Sequence, residues 1–185
     1  MFDLAPAAQE MNRLLAGVRD DQLAEPTPCP DWTVADLLAH VHQFATVFTL
    51  NARKEPVELP GDLPGNWRTV LPQQVESLVT AWQEESAWTG RVSAGGVEMD
   101  AADNALVATE ELVVHGWDLA RSTGQGFDCA ESSLNRVDQF FELFAEPIAS
   151  GQGPYGPEVP APEDADRLER TIAHTGRDPH WSGAR

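Results

Sequence analysis

The sequence predicts an all-α protein, a helical bundle followed by a shorter helical and loop-rich C-terminal segment. Apolar residues recur with a period near 3.6 in five long segments. Residues that start and stop helices, such as Thr33 three positions before Asp36 and the glycine at 124, stand at the ends of those segments. No internal repeat, heptad run or low-complexity tract points to another architecture.

Leu4, Met11, Leu14, Leu15 and Val18 place the first helix within 4–19, ahead of the polar Asp20-Asp21. The proline-punctuated PTPCPDWT connects it to a second helix that starts near Val34, with Thr33 as N-cap and Asp36 as its reciprocal partner. Val34, Leu37, Leu38, Val41, Phe44, Ala45 and Phe48 carry this helix to about Asn51 or Arg53. Prolines and glycines make 56–65 a loop, placed where it can lie over a pocket.

A third helix is expected from about Thr69 to Trp88, stopped by Gly90. Residues 91–100 read as an extended connection, because Gly95-Gly96 is a poor helix interior. The fourth long helix covers about 101–122, and Gly124 ends it. A fifth spans 130–149, the stretch GQGPYGPEVPAP is irregular, and a short helix covers about 163–174. At 185 residues one domain over 1–185 is expected, with the loop-rich extension beginning at about 150.

Composition narrows the function. A formal net charge of −18 repels a phosphate backbone, and the single lysine, Lys54, with scattered arginines forms no basic stripe, so nucleic acid and anionic membranes are poor partners. The first residues, MFDLAPAAQEMNRLL, show no basic leader ahead of an apolar run, and no stretch approaches the roughly 20 apolar residues that span a bilayer. A cytoplasmic protein without a membrane partner is expected. Cys29 and Cys129 are too few for a disulfide framework and read as structural thiols, with a reactive role for Cys29 as the alternative. HExxH, GxSxG and Walker motifs are absent, which removes support for those enzyme classes.

The fourth helix carries the strongest chemical signal. Glu111 and His115 stand four apart, so their side chains lie one above the other and can reach one ion. Apolar residues cover most of this helix's circumference, which predicts that protein surrounds it. A buried carboxylate beside an imidazole is costly unless hydrogen-bonded or metal-bound, and spacing alone leaves a simple Glu-His contact open. Glu110 points about 100° away from Glu111. His40 and His42 flank opposite borders of the second helix's apolar face, and periodicity does not choose between them. Asp118, three residues after His115, either orients a ligand histidine or pairs with Arg121. Trp32 and Trp117 fill core volume or line a pocket, and Arg121 is either a solvated helix-end charge or a contact for a substrate carboxylate.

CPDWTVADLLAHV at 29–41, EELVVHGWDLARSTGQ at 110–125 and the closing stretch 141–181 resemble the actinobacterial branch of the DinB-like superfamily, whose nearest named members are mycothiol-dependent maleylpyruvate isomerases. The resemblance implies a four-helix bundle with a metal held by His40, Glu111 and His115. It selects His40 over His42, which has no assignable counterpart. Zinc is the metal it implies first, with nickel as the alternative, beside a thiol of the mycothiol type and a small-molecule substrate. The implied activity is that of an S-transferase or isomerase, without a protein nucleophile, and the alternative is a non-catalytic metal or small-ligand binding module. Bundles of this kind also associate through apolar faces, so a homodimer is an expected form of partnership.

Overall fold

The computed structural model describes residues 1–149 and 155–183. Four helices close a ring in which α1 (Ala5–Gly17) and α2 (Val34–Arg53) each pack against both α3 (Trp67–Trp82) and α4 (Ala101–Thr123). Leu14, Leu37, Leu38, Leu71, Leu78 and Leu112 meet inside it, each essentially excluded from solvent. Burial of one such side chain stabilises the fold by roughly 1.5–3 kcal/mol. The all-α expectation holds, with one small addition. An antiparallel hairpin, β1 (Arg91–Ala94) and β2 (Val97–Asp100), joins α3 to α4.

The expected cap of α2 is present. Thr33 Oγ1 accepts from the Asp36 backbone N–H at 3.3 Å, and Asp36 Oδ2 accepts from the Thr33 backbone N–H at 2.9 Å. At the far end of α4, Gly124 adopts φ +69°, a left-handed conformation that lets its N–H return to the last carbonyls.

Four segments differ from the sequence reading. The third helix starts at Trp67 and ends at Trp82, not Trp88; Glu85–Trp88 forms a separate 3-10 turn, and the Trp88 indole donates to the Trp82 carbonyl at 2.8 Å. The expected continuous helix over 130–149 breaks into α5 (Glu131–Leu143) and α6 (Ala145–Ala149). Pro147 has no N–H for the Leu143 carbonyl, so the ladder cannot continue through that turn. The expected extended connection over 91–100 folds back on itself, because Gly95 and Gly96 take φ +57° and +81° and make a tight turn.

The last helix, α7 (Arg167–His174), begins later than expected, at the point where the Asp166 side chain caps the Glu169 N–H at 2.8 Å. It packs on α5, with His174 edge-on to Phe141 at 4.5 Å. Of GQGPYGPEVPAP, the segment read as irregular, residues 151–154 lie outside the described residues and 155–162 are loop, which continues to Asp166. Among the described residues no helix is long and apolar enough to cross a membrane.

Candidate metal centre

As its composition predicted, α4 is buried around most of its circumference, covered by α1, α2 and α5. The close fit is visible at Gly116, where an added Cβ would meet the Phe127 ring at 3.1 Å. This packing fixes the rotation of α4 and therefore the direction of its two polar side chains. Glu111 and His115 face α2, and His40 projects from α2 to meet them.

Glu111 Oε2 lies 3.0 Å from His40 Nε2 and 3.1 Å from His115 Nε2. The three donor atoms lie within 4.8 Å of one another. The side chains of His40 and Glu111 keep 27% and 21% of their exposure, so one flank of the cluster is open. Trp32 and Phe44 both lie nearly parallel to the His115 ring, with centroids 6.0 Å and 6.4 Å away, and both also approach the His40 ring, which makes Trp32 a wall of the site as well as a packing residue. His42 faces away, with Nδ1 2.8 Å from Gln74 Oε1 on α3.

The other nitrogen of His115 meets a closed polar network. Asp118, fully buried, lies with Oδ2 2.9 Å from His115 Nδ1. The alternative pairing of Asp118 with Arg121 does not occur, because Arg121 lies over Trp117 and donates to the Pro179 carbonyl at 2.8 Å. Arg177 is the partner instead. Its Nε donates to Asp118 Oδ1 at 2.7 Å and its Nη2 to Oδ2 at 2.9 Å. The Cys29 thiol donates to Asp118 Oδ2 at 3.2 Å and accepts from Arg177 Nη2 at 3.2 Å, so Cys29 belongs to the surroundings of the site.

These contacts set the charges. Burial opposes ionisation of Glu111, yet hydrogen bonds from His115 and His40 outweigh it and hold the carboxyl well below its usual range. Burial likewise opposes charge on His115, but Asp118, Cys29 and Glu111 raise its affinity for a proton well above the ordinary imidazole value. Asp118 remains ionised despite burial because His115 and Arg177 compensate it. The ionised Asp118 carboxylate holds a proton on Nδ1, while Nε2 meets Glu111 as a donor, and loss of the Nε2 proton would free that nitrogen to ligate an ion.

Cys29, His115 and Asp118 also lie close enough together to suggest an ion site. The Arg177 guanidinium already neutralises Asp118 there and would repel a second cation. The triad around Glu111 has no such competitor and offers two imidazole nitrogens and one carboxylate oxygen, a donor set suited to zinc and related divalent ions.

Beside the triad opens a cavity of about 470 Å³. Phe44 and Phe48 of α2, Met99 of the hairpin, Val107 of α4 and Phe140 of α5 form its walls, and Leu59 brings the 56–65 loop to its edge, as expected for a loop over a pocket. Asn51 holds the hairpin against the helices by donating to the Ser93 carbonyl at 2.9 Å and to Asn104 Oδ1 at 3.1 Å. Glu110 also faces this space, and its Oε1 accepts a hydrogen bond from the Tyr155 hydroxyl. Burial, with the charge of Glu111 beside it, pushes the Glu110 carboxyl up to about 8. Tyr155 and Arg177 escaped sequence reasoning. They come from the C-terminal segment, 45 and 59 positions from their partners, and no local spacing marks them.

Fold and site together define a class: a helical bundle with two histidines and one glutamate, contributed by two helices, beside an apolar cavity. The chain belongs to the family described as the mycothiol maleylpyruvate isomerase N-terminal domain, whose family model matches residues 4–120. That match contains all of the triad and Asp118. Two curated relatives, each an uncharacterized protein of a Mycobacterium tuberculosis strain, are 28% identical over 179 residues, covering 89% of this chain and 90% of their own. Among solved structures, the mycothiol-dependent maleylpyruvate isomerase aligns with a TM-score of 0.57 and a histidine-to-alanine variant of it with 0.59. Both alignments have 20% identity and cover 81% of this chain and 70% of the other, a likeness of fold.

Proposed function

We propose that this chain, acting as one unit in the cytoplasm, is a divalent-metal-dependent enzyme that uses a low-molecular-weight thiol such as mycothiol, of the S-transferase or isomerase type. His40, Glu111 and His115 are the ligands in this reading, with zinc the first candidate and nickel the alternative. The observation that carries it is the convergence of two imidazole Nε2 atoms on Glu111 Oε2 at 3.0 and 3.1 Å, beside a cavity that His40 and Glu111 line. The name of the family and of its structural relatives supports the thiol.

Three protein ligands leave a position for an exogenous group, the arrangement of catalytic rather than closed structural sites. A divalent ion bound there lowers the pKa of a coordinated thiol and so favours the nucleophilic thiolate. The protein's own residues do the rest. Asp118, held by Arg177, fixes the His115 ring and keeps its Nδ1 proton away from the ion. Trp32 and Phe44 pack aromatic surface beside that ring, and the apolar cavity walls shelter the reacting partners. Glu110 and Tyr155 present a hydrogen-bonded carboxyl within reach of the same space.

Cobalt substitution tests the proposal. The account expects a cobalt-loaded protein whose visible spectrum changes on addition of mycothiol, with growth of a sulfur-to-cobalt charge-transfer band. A spectrum that never responds to thiol, in a protein that does hold the ion, would favour a non-catalytic metal-binding role.

A further inference from the structure

The cavity walls speak to the second substrate. Phe44, Phe48, Val97, Met99, Val107 and Phe140 are among its walls, and the lining surface is mostly apolar. The polar side chains facing it are His40, Gln43, Glu110 and Glu111, and among the described lining residues none is a lysine or arginine. The five residues at 150–154, Ser-Gly-Gln-Gly-Pro, carry no cation either.

Nearby cations are committed elsewhere. Arg177 is bound to Asp118 and Cys29. In the neighbouring depression beyond Leu59, Lys54 Nζ donates to the Ala87 carbonyl at 2.7 Å and Arg91 pairs with Asp100 at 3.1 Å. A carboxylate entering the cavity would lose its hydration and face Glu111 with no lysine or arginine among the described lining residues to receive it, which is unfavourable. The two positive charges of a divalent ion would already be matched by Glu111 and one thiolate.

An uncharged molecule meets the opposite conditions. Leu59 and Val97, 70% and 54% exposed, present apolar surface at the rim where a ligand enters. Gln43 has no side-chain partner among the described residues, so its amide is free to bond a ligand carbonyl. The volume, about 470 Å³, suits a small molecule with an aromatic or branched body.

We infer that the acceptor taken by this cavity is an uncharged, largely apolar carbonyl compound, and not an anion of the maleylpyruvate kind named in its relatives. The inference rests on the proposed function for the word acceptor, whereas the ligand preference belongs to the cavity itself.

The test compares ethyl cinnamate with cinnamate, a matched neutral and anionic pair, by calorimetry on the purified full-length protein without thiol. Both the parent protein and His115→Ala are measured, so that a carboxylate bound directly to metal is not mistaken for a cavity ligand. The ester is expected to bind at least ~10-fold more tightly than the acid in both proteins. Gln43→Arg, which places a cation in the wall, is expected to shrink that ratio by raising affinity for the acid.

Equal or tighter binding of the acid in His115→Ala overturns the inference, and so does failure of the ester to bind. A protein that holds no metal yet prefers the ester keeps the inference about the cavity and loses the proposed function. A metal-loaded, thiol-responsive protein that prefers the acid does the reverse.

Discussion

The two sides of the His115 ring are built for opposite purposes. On the Nδ1 side, Asp118, Arg177 and Cys29 saturate one another in a buried network where opposite charges meet. On the Nε2 side, Glu111 and His40 turn the same kinds of atoms toward a partly open cavity, and among the described residues no arginine or lysine is paired with them. Both sides place three potential ligands within reach of one ion. Proximity of donors therefore does not define a metal site; what matters is whether their charges are already spent on the protein.

Mutations can break this contrast, and the largest effect belongs to the shared residue. His115→Ala should reduce bound metal from about one ion per chain to a trace, measured by elemental analysis, because the site retains only two ligands. Full occupancy in that variant would remove His115 from the ligand set. Next comes Asp118→Ala, which strands the Arg177 guanidinium in a site where its side chain is only 9% exposed. Loss of one partner from such a pair typically costs about 3–5 kcal/mol. Chemical denaturation should show it, and a change below about 1 kcal/mol would mean that the pair behaves as a solvent-exposed one.

A gentler change sharpens the comparison. Asp118→Asn keeps the shape but weakens the hold on the Nδ1 proton, and the expected result is roughly 10–100-fold weaker metal affinity in a chelator competition. Unaltered affinity would show that the two sides of the ring are not coupled. The smallest effect lies away from the ring. Thr33→Ala removes the cap of α2, which carries His40, at a cost of about 1 kcal/mol.

The cap also has a pH signature. Hydrogen bonds from the Thr33 hydroxyl and backbone hold the Asp36 carboxyl below its ordinary range. Its stabilisation is therefore complete at neutral pH and is lost as pH falls below about 4 and through the folded-state value. Thr33→Ala should flatten that acid limb in thermal unfolding curves; an identical limb in both proteins would dissociate the cap from it.

Sequence patterns revealed the helices because each long segment carries many apolar residues on one face, and the cap at Thr33 with Asp36 is local enough to recognise. Shorter features were harder to read. The hairpin strands have four residues each, too few for alternation to stand out, although Gly95-Gly96 was a usable turn signal. Glu111 and His115 could be paired from spacing on one helix, whereas the choice of His40 over His42 needed the family resemblance, and the structure separates them by rotation about α2. Arg177 and Tyr155 were invisible because their partners are set by how the C-terminal segment crosses α4, a tertiary fact without a local pattern.

Metal content distinguishes the two sides of His115 most directly when each is disabled without touching that residue. The measurement is elemental analysis of untagged protein for Glu111→Ala and Cys29→Ser beside the parent chain. The account predicts about one divalent ion per chain in the parent and in Cys29→Ser, and a trace in Glu111→Ala. Metal kept by Glu111→Ala and lost from Cys29→Ser would contradict it, placing the ion in the network that contains Arg177.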